Sequence, residues 1–214
     1  MKKVIILVAL VCVGMANVFA QYDPEARTIL DGMSDKIRSI NAYSADISNS
    51  LINEADGIND KFEGKIVVQS DKYRLELEEQ VVINNGTTVW TYLPDVNEVN
   101  IDNYDPDEDE ITPSKIYDAY KEGYKYILLG EETKNGVMCS VIDLVPNDKD
   151  AQFFKVKLFI SKRDNLLKGW TMFEKSGNKY LYEINNFNSS ISVRSSDFEF
   201  DPTKYPGVDI IDLR

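Results

Sequence analysis

The sequence predicts a mainly β protein whose large antiparallel sheet curls, with two helices available to cover its concave, apolar face. Three observations support this α+β prediction. From residue 43 onward, apolar and polar residues alternate along most of the chain. Tight-turn sequences divide this region into roughly ten or eleven strands, too many for one flat open sheet. Only two stretches have helical spacing instead.

Residues 1–20 have the features of a secretory signal peptide. Lys2 and Lys3 precede an apolar run, and Ala20 is a small residue that suits cleavage. The run is about ten residues long, whereas a helix that spans a bilayer needs about 20. Cys12 follows Val11, where a lipid-attachment site requires a small residue. We therefore expect export with a cleavable signal peptide, followed by one domain over residues 21–214.

The mature chain is strongly acidic. Of 24 basic residues only Lys2 and Lys3 leave with the signal peptide, so 22 basic and 36 acidic residues give a net charge of −14. This charge excludes nucleic acid as a partner and disfavours anionic lipid surfaces. Cys139 would then be the only cysteine, so no intramolecular disulfide can form, and a periplasmic location fits an exported chain without disulfides.

The two predicted helices begin alike, with a capping residue and then a proline, at Asp23–Pro24 and at Thr112–Pro113. The first is about four turns long and the second is short. Their apolar stripes consist of Ala26, Ile29, Leu30, Met33 and Ile37 in the first helix and of Ile116, Tyr117 and Tyr120 in the second. Such stripes predict that both helices pack on the sheet, with Ile29, Met33, Ile116 and Tyr120 as a lid over it.

Period-two patterns predict which strand residues face the lid. In KYRLELEE (72–79) and FFKVKLFI (153–160), every second residue is large and apolar, and the segment 81–101 reads as three strands with Asn85–Gly86 in a type I′ turn. The residues expected to line the concave face are Tyr73, Leu75, Leu77, Trp90, Tyr92, Phe154, Val156, Leu158 and Ile160. One four-turn helix and one short helix could leave this face partly uncovered as a ligand cavity, or fill it as a solid core; periodicity does not decide between them.

The sequence lacks the common catalytic and metal-binding motifs. The chain has no histidine, and it lacks a nucleophile elbow, a glycine-rich phosphate loop and the spacing of an EF-hand. The acidic segment DNYDPDEDE (102–110) is interpreted as a solvent-exposed loop. We therefore expect no catalytic residue, no metal site and no cofactor, and a binding module rather than an enzyme.

Three segments carry a resemblance to a known family. They are FEGKIVVQSDKYRLE (62–76), NNGTTVWTYLPDVNEV (84–99) and FEFDPTKYPGVDIIDL (198–213). Together with the signal peptide and the first helix, they resemble the LolA family, the periplasmic carriers of outer-membrane lipoproteins. The resemblance implies a half-open antiparallel barrel of about eleven strands with a helical lid.

The resemblance also implies what the chain binds. Its partners would be the acyl chains of lipoproteins, an inner-membrane lipoprotein-releasing ABC transporter and an outer-membrane acceptor, and the carrier would be a monomer. The resemblance implies a basic residue that ties the lid shut, but this chain has Gln69, Ser70 and Asp71 there. Either the lid is looser, or another residue such as Arg74 holds it. The alternatives are a related lipid-binding or lipoprotein-sensing domain, a hydrolase that uses a carboxylate pair, and a structural interaction domain.

Overall fold

The computed structural model describes residues 22–105 and 116–214. The predicted signal peptide, the second half of the acidic segment and the capping pair Thr112–Pro113 lie outside the described residues. Within the described ranges, no helix is long and apolar enough to cross a membrane.

The described residues form one α-helix, twelve strands and three short 3₁₀ helices. The α-helix is α1 (Pro24–Arg38), and the 3₁₀ helices are Ala119–Lys121, Ser195–Phe198 and Pro202–Lys204. The strands are β1 (Tyr43–Asn53), β2 (Ile58–Gln69), β3 (Lys72–Leu77), β4 (Val81–Asn84), β5 (Thr88–Leu93), β6 (Glu98–Asn103), β7 (Tyr124–Lys134), β8 (Val137–Pro146), β9 (Phe153–Ser161), β10 (Leu167–Glu174), β11 (Lys179–Asn188) and β12 (Asp209–Asp212).

All twelve strands belong to one open sheet in the order β12-β6-β5-β4-β3-β2-β1-β11-β10-β9-β8-β7. Two antiparallel meanders, β1 to β6 and β7 to β11, are joined where β11 pairs with β1. Only β12 departs from the antiparallel pattern, because it pairs in parallel with β6. The two ends of the sheet do not pair with each other, so the predicted half-open, mainly antiparallel architecture is confirmed, with twelve strands rather than about eleven.

The sheet curls around α1. Strands β3 and β7 are seven spacings apart in the sheet, about 34 Å at 4.8 Å per spacing, whereas a helix of this length spans only about 22 Å. Yet Asp23, at the start of α1, accepts a hydrogen bond from the Leu128 N–H of β7 (3.0 Å), and Ile37, near its end, packs against the cluster that contains Tyr73 of β3. The face that touches α1 is therefore concave.

Local sequence explains where α1 begins. Asp23 is the N-cap, with its carboxylate accepting from the backbone N–H of Glu25 (2.9 Å) and Ala26 (3.3 Å), and Pro24 occupies the first helical position. Only the later part of the second predicted helix lies within the described residues, and this part is not α-helical. Its described part, from residue 116, contains a turn and the 3₁₀ helix Ala119–Lys121, and Gly123 follows with φ of 77°.

The outer face of β3 to β6 is covered by the chain after β11. Within this C-terminal segment (189–214), Phe198 is fully buried, as are Ile83 and Val99 on the strands. The sheet therefore has a second, smaller apolar layer on the side away from α1.

Candidate ligand cavity and comparison with known proteins

An apolar cavity of about 370 Å³ lies between the concave face and the segment at residues 116–117. Its floor consists of β1 to β3 together with β10 and β11. The residues that line it are Tyr43, Ala45, Ile47, Asn49, Ile66, Leu75, Leu77, Gln80, Ile116, Tyr117, Trp170, Tyr182, Glu183 and Ile184. This volume lies within the range of about 300–1,000 Å³ that is usual for small-molecule sites.

The concave face contains six of the nine predicted strand residues, but they have two different environments. Leu75 and Leu77 line the cavity, and Tyr73 packs beside it with 8% of its surface exposed. In contrast, Val156, Leu158 and Ile160 are buried in a cluster with residues of α1. The sheet under the helix is therefore closely packed, whereas the cavity lies beside it.

Trp90 and Tyr92 were expected on the concave face, and this expectation is wrong. The pairing of β3 with β4 and of β4 with β5 places Thr91 on the side of Leu75, so its neighbours Trp90 and Tyr92 point outward. The Tyr92 ring packs against Tyr205 of the C-terminal segment, with centroids 4.3 Å apart. These two aromatic residues belong to the outer apolar layer.

The turn before these residues also differs from the prediction. The type I′ assignment required positive φ at both central residues, but of the pair only Gly86 has it (φ 90°). The side chain of Asn85 accepts instead from the backbone N–H groups of Thr87 (3.0 Å) and Thr88 (2.9 Å). A side-chain cap therefore stabilises a longer connection.

Phe154 is the third residue that was expected on the concave face but lies on the outer face of the sheet. An irregularity in the pairing of β9 with β10, between Phe173 and Glu174, shifts the alternation by one residue. Phe153 consequently packs against the concave core, whereas Phe154 is 48% exposed and lies 6.1 Å from the Phe173 ring.

The four predicted lid residues do pack together on the concave side. Met33 (1% exposed), Ile116 (1%) and Tyr120 (2%) belong to the buried cluster, and Ile29 packs against it. Ile116 also lines the cavity, so the segment after residue 115 forms part of its cover.

Asp118 ties α1 to this segment. Its carboxylate accepts from the Ser34 hydroxyl (2.6 Å) and from the Arg38 guanidinium (2.6 Å), and it pairs with Lys121 (2.7 Å). Burial alone would raise the pKa of Asp118, but these donors outweigh that effect and hold the pKa below its usual value. We call these contacts the helix tether.

A second contact joins the same two elements. The Tyr120 hydroxyl donates to Asp31 of α1 (2.6 Å), which lowers the pKa of the Asp31 carboxyl. Arg74, considered above as a substitute for the family's basic residue, does not hold the helix. Its side chain points to the outer face and pairs with Glu76 (2.7 Å).

Several cavity residues were missed by the sequence analysis. Trp170 of β10 stacks on Tyr182 of β11 with centroids 4.5 Å apart, and Ile47 and Ile184 face each other across β1 and β11. The alternation in YSADISN (43–49) and KYLYEIN (179–185) carried this information. The alternation is less distinct there, because Asn49 is polar at an inward position and Leu181 is apolar at an outward one.

Comparison with protein families decides the relationship. The protein-family model described as outer membrane lipoprotein carrier protein LolA matches residues 39–201, three quarters of the chain. The chain belongs to this family. No curated protein matches the chain by sequence.

Three solved structures are similar to this LolA-family chain at low sequence identity. An uncharacterized conserved protein from Thermus thermophilus is 12% identical, with a TM-score of 0.60 over 88% of this chain and 99% of the other. LprF from Mycobacterium bovis is also 12% identical, with a TM-score of 0.50 over 80% and 100%. A LolA superfamily protein from Nitrosomonas europaea is 12% identical, with a TM-score of 0.47 over 82% and 98%.

Proposed function

We propose that this LolA-family protein is an exported, periplasmic carrier that shields lipoprotein acyl chains in its cavity between the inner and outer membranes. The observation that carries the proposal is the apolar cavity beside the helix-covered core. An inner-membrane ABC transporter would deliver the cargo, an outer-membrane acceptor would receive it, and the carrier would act as a monomer with Gln21 as its first residue.

The energetics suit transport. One chain of about fifteen methylenes gains roughly 12 kcal/mol on leaving water, so partial shielding in the cavity is enough to cross an aqueous space. Three such chains would exceed the practical ceiling of about 20 kcal/mol for noncovalent binding. A cavity of about 370 Å³ suits one chain, and further chains require α1 to move away from the sheet.

The cavity wall favours a carrier over a hydrolase that uses a carboxylate pair. Glu183 is the single Asp or Glu among the described cavity-lining residues. Its carboxylate pairs with Lys134 (2.8 Å), and hydrogen bonding to that lysine lowers its pKa. A hydrolase that uses a carboxylate pair needs one carboxyl group with a raised pKa, to act as the acid, and a second carboxylate nearby.

Tryptophan fluorescence tests the proposal, because the chain has one tryptophan on each side of the sheet. Trp170 lines the cavity, and its buried Nε1 makes no hydrogen bond to any described residue, whereas Trp90 lies on the outer face. A diacylated lipopeptide should change the emission of the mature protein. The change should persist in Trp90→Phe and disappear in Trp170→Phe.

Two outcomes would contradict the proposal. One is saturable lipopeptide binding whose signal follows Trp90, and the other is no binding at all by a folded wild-type protein. A non-acylated peptide of the same sequence is the matched control, and it should leave the emission spectra of the wild type and of both variants unchanged. Export is tested separately by the intact mass of the secreted protein, which should begin at Gln21, and a retained or lipidated N-terminus would contradict it.

A further inference from the structure

A second, polar cavity adjoins the apolar one. It has a volume of about 330 Å³ and lies between the end of α1 and the turn that joins β2 to β3. Its polar lining comes from Arg38, Asn41, Ser70, Asp71 and Asp118. The two cavities together offer an apolar compartment and a polar compartment side by side.

Two tyrosines form the partition between the compartments. Tyr43 and Tyr117 line both cavities, and their exposed fractions are 6% and 5%. Each tyrosine affects the pKa of the other, and burial is the larger cause of the raised pKa in both. Burial raises the pKa of Tyr117 to about 12, so both hydroxyls are neutral at physiological pH. A ligand that occupies both compartments therefore has to separate two neutral rings rather than break an ion pair.

We propose that the two compartments form one site for an amphiphile, an inference that rests on the proposed function. The acyl chain of the amphiphile fills the apolar cavity, and its neutral, hydrogen-bonding head group occupies the polar one. The chemical class is an acyl ester or amide with a polyol or peptide head, as opposed to a free fatty acid.

The charges of the polar compartment disfavour an anionic head. Its single basic lining residue, Arg38, already donates to Asp118 at 2.6 Å as part of the helix tether. Asp71 adds a carboxylate at the rim, and Ser70 and Asn41 add neutral hydrogen-bonding groups. Hydroxyl and amide N–H groups can donate to Asp71, whereas an anionic head would meet like charge there.

Matched single-chain probes test this inference. Lauroyl glycerol and laurate have the same acyl chain and differ in the charge of the head, and both are titrated against the mature protein below their aggregation concentrations. We expect lauroyl glycerol to bind at least about tenfold more tightly, the effect of one hydrogen bond to a charged group. Trp170 emission reports occupancy of the apolar compartment by either probe.

Variants then locate the head group. Asp71→Asn should reduce the preference to about threefold or less by weakening lauroyl glycerol and strengthening laurate, because it removes the charge at the rim. Asp95→Asn removes the same charge from the exposed turn between β5 and β6, and it should keep the wild-type preference.

The outcomes separate this inference from the proposed function. Equal affinities for the two probes in the wild type, or an unchanged preference in Asp71→Asn, would overturn the neutral-head site while leaving an acyl-binding carrier intact. If neither probe nor the lipopeptide bound to the folded protein, both the carrier function and this inference would be overturned.

Discussion

Truncation of two leucines on the same sheet face distinguishes the packed region from the cavity. Leu158→Ala removes a side chain that is fully buried and lies between Ile142 of β8 and Trp170 of β10. Leu75→Ala removes one that is partly exposed and already borders the cavity. Both changes delete the same atoms, so any difference in stability reports the surroundings.

The expected magnitudes differ severalfold. Leu158→Ala should cost about 3–5 kcal/mol, because the lost transfer free energy is joined by the cost of a new void that close-packed neighbours cannot fill. Leu75→Ala enlarges an existing void and forfeits only part of the burial of its methyl groups, so we expect about 1 kcal/mol. Leu158→Met keeps the volume and should cost less than about 1.5 kcal/mol.

Urea unfolding of the lipid-free mature protein, followed by circular dichroism, measures these differences. With a slope of about 2 kcal/mol per molar urea, Leu158→Ala should lower the midpoint by about 1.5–2.5 M and Leu75→Ala by about 0.5 M. Equal shifts for the two alanine variants would refute the distinction between packed core and open cavity. A loss below about 1.5 kcal/mol for Leu158→Ala would show that the region under α1 is not close-packed.

Three further perturbations have defined outcomes. Asp118→Asn should lower the free energy of unfolding by about 1 kcal/mol at pH 7. The difference from wild type should disappear as the pH falls below about 4, because the lowered pKa of Asp118 contributes stability only while the carboxylate is charged. Urea midpoints measured as a function of pH check this. Gly64→Ala would place Cβ 2.3 Å from the Glu76 carbonyl oxygen and should cost about 1–3 kcal/mol in thermal or urea unfolding, more than Gly86→Ala, where φ is strained but space is open. The wild type should lose stability between about pH 10 and 12, because the raised pKa of Tyr117 favours folding only while the phenol is neutral. Tyr117→Phe should reduce this alkaline loss, and an unchanged alkaline transition would contradict the expectation.

The sequence alone determined the features that depend on near neighbours. The start of α1 follows from a capping aspartate and a proline, which act within one turn of the helix. Period-two alternation assigned Leu75 and Leu158 to the same side of their strands as the apolar residues around them, because successive side chains point to opposite faces. The antiparallel, curled architecture followed from the number of strands and the spacing of turns, and the family from three sequence segments.

Tertiary structure decided which apolar residues meet which surface. In β5 both faces carry large side chains, and the C-terminal segment, more than ninety residues further along the chain, packs against Tyr92 from outside. Phe154 was displaced by a pairing irregularity that arises between β9 and β10 and is not encoded in β9 alone. The division of one concave face into a solid core and a cavity depends on how far α1 extends across the sheet. Each of these outcomes is set by contacts between segments distant in sequence, and a local pattern of side chains carries no information about them.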